Sequence, residues 1–174
     1  MVAFAFRMGV GYEGATNRNQ HSTVVREIMT SVLADQPTSY GVMLALDATG
    51  IVRICKASDA LAGLWGFFVR PWPTQGGSLS SPINDGLGVS TPPGPAAEAN
   101  VLKRGWMTVK LNAASPAVVK GQPVGVFIGT PSAGNPAGGV TGAAPGATVL
   151  AIPNTYFMGP AEAGTGITEI AYNI

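Results

Sequence analysis

A chain of 174 residues has room for one domain with a sizeable core, and a hydrophobic content of 46% is that of a folded protein, not a disordered one. Charged residues make up only 11% and the net charge is +1, which excludes the dense basic face of a nucleic-acid binder. The 24 glycines and 14 prolines disfavour helix bundles and suit short strands joined by turns. Charge is also unevenly spread: beyond Gly121 only Glu162 and Glu169 are charged, and between Pro71 and Ala97 only Asp85. A free monomer is kept dispersed by surface charge. A chain so poor in it is expected to be covered by other protein in a permanent assembly, as a structural part and not a free enzyme.

In chain order, residues 1–22 read as an arm and residues 1–39 as an N-terminal arm and lead-in segment, ahead of a β-rich domain over 40–174. Residues 23–33 fit one helical face through Val24, Val25, Ile28, Met29, Val32 and Leu33, but their β-branched content favours extended or irregular chain. Residues 42–46 and 51–55 are predicted strands around the turn Asp47-Ala48-Thr49-Gly50. Residues 64–70 form an aromatic strand stopped by Pro71-Trp72-Pro73, since two prolines that close cannot continue a sheet interior. Residues 74–97 are a long Gly/Ser/Pro loop. Over 101–111, alternation puts Val101, Met107, Val109 and Leu111 on one face and Leu102, Arg104, Trp106, Thr108 and Lys110 on the other, with Gly105 interrupting. Residues 122–129 are a further strand, 130–146 a second long loop, and 148–152, 155–158 and 167–172 short closing strands. About eight short strands without intervening helix patterns predict an all-β fold, a jelly-roll-like antiparallel sandwich or barrel.

Candidate chemistry is sparse. Gly9-Val10-Gly11-Tyr12-Glu13-Gly14 matches G-x-G-x-x-G, but a dinucleotide site needs a helix starting at those glycines, and residues 15–20 offer no apolar helical face. Chance spacing in a Gly-rich chain accounts for it, and no cofactor is expected. His21, the one histidine, cannot build a zinc site alone and reads as a solvent-facing residue. Cys55, the one cysteine, excludes an internal disulfide and reads as a small core residue. Trp65, Phe67, Phe68 and Trp72 are either a stacking platform for sugars or bases, or core plus a proline-packed corner; strand aromatics favour core. Trp106, beside Lys103 and Arg104, fits a protein-interface anchor and equally a core tryptophan with solvated neighbours. No metal site or catalytic set is expected. No signal peptide is evident and no apolar run reaches membrane-spanning length, so a chain made in the cytoplasm, staying there or leaving inside a particle, is expected, with no membrane or nucleic-acid partner.

Residues 59–75, DALAGLWGFFVRPWPTQ, and 101–111, VLKRGWMTVKL, resemble segments of tailed-phage capsid cement, or decoration, proteins. The ending, 152–160 with 167–174, agrees in order, so the resemblance covers about residues 40–174. It implies a β-rich, jelly-roll-like domain bound outside a shell of HK97-type major capsid protein, holding neighbouring subunits together without enzymatic activity. It also implies a homo-oligomer: homodimers occur in related short-tailed phages and trimers in other cement families, and a homodimer is the favoured reading here. Expected capsid or oligomer contacts are the arm residues Phe4, Phe6, Arg7 and Arg18, Trp72 in the proline corner, and Arg104 with Trp106. The rivals are a phage tail or fibre subunit and a carbohydrate-binding β-sandwich.

Overall fold

The computed structural model describes residues 13–17, 21–70, 92 and 94–174. Among them a 10-stranded sheet carries the fold: β1 (Thr16–Asn17), β2 (Thr23–Ile28), β3 (Met43–Leu46), β4 (Val52–Ile54), β5 (Leu64–Val69), β6 (Glu98–Lys110), β7 (Pro123–Phe127), β8 (Val140–Thr141), β9 (Val149–Phe157) and β10 (Ile167–Tyr172). Short 3-10 turns lie at Leu33–Asp35 and Leu61–Gly63. Every pairing between named strands is antiparallel. The fold is all-β and jelly-roll-like, as the turn-punctuated sequence predicts.

The sheet runs β4-β3-β5-β6-β10-β9-β7-β8, with β1 and β2 also on β6. The 13-residue β6 is its spine. Its first half lies between β2 and β5, its second half between β1 and β10. At the junction the pairing with β2 skips Lys103, passing from Thr23↔Arg104 to Val24↔Leu102. Gly105 there has φ 132°, a conformation that L side chains rarely adopt. An extra residue in a strand bends it and reverses which side chains face which way. The strict alternation expected over 101–111 therefore fails at this point: Leu102 shares a core with Met107 and Val109, while Val101 faces a different core with Ala99.

Two cores result, sharing the wall made by β3, β5 and the first half of β6. The larger holds Met43, Phe67, Leu102, Met107, Phe157 and Ile170 with the valines of β7. The sheet curls around it and is bridged back on itself where Met43 N–H donates to Gly138 O (2.7 Å) and Gly138 N–H to Phe127 O (2.7 Å). The smaller holds Tyr40, Val42, Leu44, Val52, Phe68 and Val101. It is closed where the chain leaving β2 meets β4, through a Met29–Val52 bridge and Thr30 N–H to Val52 O (2.8 Å). Adjacent residues Phe67 and Phe68 point into opposite cores, so the aromatic strand is buried on both faces. Each such side chain taken from water contributes about 1.5–3 kcal/mol.

Several sequence expectations acquire their physical reasons here. The ambiguous stretch 23–33 begins as strand β2, because β6 offers it a partner over residues 98–104. Asp47 builds the β3–β4 turn by accepting hydrogen bonds from Thr49 N–H (2.8 Å), the Thr49 hydroxyl (2.6 Å) and Ile51 N–H (2.9 Å). The loop expected over 130–146 contains β8, whose Val140 is buried against β7. The two strands expected at 148–152 and 155–158 are one strand, β9. It carries an irregularity at Pro153 and Asn154, where pairing with β7 jumps from Gly125↔Ala151 to Pro123↔Tyr156 and Asn154 takes φ 50°. Gly14, last glycine of the nucleotide-like motif, is followed by strand β1 and not by a helix. Its N–H donates to Thr108 O (2.8 Å) and its carbonyl accepts from Arg70 N–H (2.8 Å), so sheet pairing accounts for it.

Candidate interaction surface

Of the residues expected to make contacts, Phe4, Phe6, Arg7, Arg18 and Trp72 lie outside the described residues. Arg104 and Trp106 flank the Gly105 bulge on β6. Arg104 is exposed and Trp106 half-buried. With His21, Ser22 and Thr23 they line an open groove of about 330 Å³. Trp106 N–H donates to Ser22 Oγ (3.4 Å), and His21 meets the Trp106 ring edge-on, centroids 6.2 Å apart. A Cβ at position 105 would fall 2.2 Å from Ser22 Oγ, so glycine is what lets this segment lie against the bulge.

The basic pair Lys103-Arg104 splits at the bulge. Lys103 turns inward, its ammonium 3.2 Å from the centre of the Trp65 ring and hydrogen-bonded to the Trp65 carbonyl. Trp65 Nε1–H in turn donates to Glu27 (3.0 Å). Burial holds the Lys103 ammonium below its ordinary pKa, opposed by the Glu27 carboxylate. A partly buried cation over a ring contributes about 0.5–2 kcal/mol. Trp65 packs against the smaller core, and Arg104 is the outward charge of the pair.

Groups that could carry chemistry lie apart among the described residues. Cys55 is buried, its thiol donating to Met43 O (3.1 Å), and burial pushes its pKa up to about 12, so it stays a thiol. Among the described residues no group of three or more His, Cys, Asp or Glu could hold a metal ion. A second hollow, about 180 Å³, has Glu13, Ser39, Tyr40, Lys110 and Asn112 in its lining. The Arg53–Asp59 pair is bidentate (2.8 and 2.6 Å), and Asp59 also accepts from Lys56 N–H (2.7 Å), which ties β4 to the turn that follows it.

The surface carries another feature, not singled out by the sequence. On β2 and just after it, Val24, Ile28, Val32 and Leu33 are exposed at 41, 64, 52 and 74%. Their spacing is what made 23–33 look helical; read as a strand followed by a turn, the same residues become an apolar face turned to solvent. No helix among the described residues is long and apolar enough to cross a membrane.

The described residues form an all-β scaffold with an apolar outer face, in a chain with 11% charged residues, which suits a protein that works by contact. Residues 1–172 match the family described as XM1 gp53 minor capsid protein, and the chain belongs to that family. It is a capsid-associated minor structural protein of phage type, which places it in the virion. A chain in the solved capsid of Myoviridae phage XM1 has the same fold: the TM-score is 0.66 at 18% identity, over 98% of this chain and 95% of that one. No curated protein sequence matches.

Proposed function

We propose that the chain is a capsid cement protein: it binds the outside of a shell of HK97-type major capsid protein and clamps neighbouring subunits of the DNA-filled head. Membership of a minor capsid protein family is the observation that carries this reading. The exposed apolar face of β2 supports it, because such a face on a chain with 11% charged residues favours burial by neighbours. Internal pressure strains the seams between subunits, and a protein that binds only the closed shell stabilises it by its binding free energy. Many copies on one lattice multiply weak contacts through high effective concentration.

The chain acts as a homo-oligomer, a homodimer in preference to a trimer, on the virion exterior after synthesis in the host cytoplasm. The contact elements are Phe4, Phe6, Arg7 and Arg18 of the arm, Trp72 of the proline corner, and Arg104 with Trp106 beside the bulge. Residues 1–39 serve as arm and lead-in and 40–174 as the body. The test is co-sedimentation of purified chain with heads that lack it. Full-length chain binds saturably, and a chain lacking residues 1–12 binds at least about 10-fold more weakly, a loss of about 1.4 kcal/mol. Unchanged affinity on truncation removes the arm from the account, and no binding by the full chain refutes the function.

A further inference from the structure

A sheet that curls around two cores still has margins, and three of them differ in how they end. The margin at β4 is met by the Met29–Val52 bridge and by Thr30 N–H. The margin at β8 is met by a Leu111–Val140 bridge, with Asn112 N–H donating to Val140 O (2.8 Å). The third is β2, six residues paired on one side to β6; among the described residues no strand lies along its other side. An open edge displays a row of backbone donors and acceptors, and proteins normally blunt such an edge with prolines, bulges or charge. Between Val24 and Ile28 the edge carries no proline and no bulge; its two charges, Arg26 and Glu27, are of opposite sign, Glu27 accepts a hydrogen bond from Trp65, and the other three side chains are Val24, Val25 and Ile28.

We propose that the open edge of β2 is the surface on which a second copy of this chain docks, the two β2 strands pairing antiparallel about a two-fold axis at Val25. This rests on the homodimer reading above and names its surface. The charge pattern tells apart the registers in which a second copy pairs. A two-fold pairing places residues of like parity opposite one another, since side chains directly across an antiparallel pair share a face. Centred on Arg26 it would oppose guanidinium to guanidinium, and centred on Glu27 carboxylate to carboxylate. Centred on Val25 it sets Val25 against Val25, Val24 against Arg26 and Thr23 against Glu27, with no like charges opposed. The aliphatic stem of Arg26 then lies along Val24 of the other copy, while its head stays near Glu98 of its own chain (3.6 Å). Isologous contact is the commonest way for identical subunits to meet, and a net charge of +1 per chain opposes it little.

The experiment is sedimentation velocity over a concentration series on the full-length chain, on Val24→Lys/Ile28→Lys, and on Val119→Lys, an equally exposed apolar position outside β2. Circular dichroism melts confirm that the variants fold. The proposal expects a dimer for the parent and for Val119→Lys, and a dissociation constant raised about 100-fold or more for the β2 variant, in which the new ammonium at position 24 of each copy lies opposite Arg26 of the other, two like-charge pairs across the axis. A monomeric parent overturns it, as does a folded β2 variant that dimerises unchanged. Binding to heads, measured in parallel, separates this failure from that of the cement function. A persistent dimer that still binds heads refutes the β2 surface alone; a β2-dependent dimer that ignores heads refutes the cement function alone. A monomeric parent whose β2 variant loses head binding assigns the edge to a capsid subunit and overturns the second copy.

Discussion

Replacing Gly138 by alanine tests how the larger core is closed. Gly138 has φ +74°, and a Cβ built on it falls 2.2 Å from the carbonyl oxygen of Met43, a backbone atom with no flexible side chain to move aside. The left-handed backbone costs a residue with a Cβ about 1–2 kcal/mol. Relieving the clash separates the two segments, which loses Met43 N–H to Gly138 O and strains Gly138 N–H to Phe127 O, both 2.7 Å. A buried hydrogen bond contributes about 0.5–1.5 kcal/mol net, so the substitution costs about 2–5 kcal/mol in all. For a domain of this size that lowers the melting temperature by about 5–15 °C. Thermal melts at neutral pH read the effect, with Gly159→Ala as control: it has ordinary φ and nothing within 4 Å of the added methyl, and should stay within about 0.5 kcal/mol of the parent. If Gly138→Ala melts with Gly159→Ala, the sheet is not held closed at this point.

Phe157→Ala, which empties a fully buried position in the larger core, should cost about 3–5 kcal/mol, read by urea denaturation; a loss under 1 kcal/mol would deny that this cluster is the main core. Cys55 should resist a thiol reagent in the native protein and react with one equivalent after unfolding; rapid native labelling would contradict its burial. Asp59 should carry a share of acid sensitivity: burial raises its pKa, but Arg53 and the Lys56 N–H outweigh this and hold it below its ordinary 3.8. Its contribution is therefore present above about pH 4 and fades as pH falls through the lowered value. Asp59→Asn should flatten the fall in melting temperature below pH 4, and a slope equal to the parent's would remove Asp59 from that role.

Much of the fold is legible in the sequence because it is local. Prolines 71 and 73, the Asp47–Gly50 turn and the aromatic run at 64–70 each act within a few residues, and strands β3, β4 and β5 fall within a residue or so of where these signals put them. What the sequence hides depends on partners far along the chain. The bulge at Lys103–Gly105 breaks the alternation of β6 because β2, about 80 residues earlier, pairs across it. Val140 joins a strand inside an apparent loop because β7 supplies the ladder. At the candidate surface, Arg104 and Trp106 are visible as an aromatic next to charge. That Lys103 turns inward while its neighbour faces out follows from the bulge, which no local pattern announces. The exposed face of β2 was masked by its own composition, since apolar residues at those spacings read first as a helix packed on a core.

Cryo-EM of intact heads, with the gene for this chain present and deleted, shows where on the particle the chain sits. Density that fits the two-core β-fold is expected on the outer surface of the shell, spanning junctions between neighbouring capsid subunits, and absent from the deletion particles. Density confined to the inside of the shell or to the tail, or identical maps from the two preparations, would contradict the cement function.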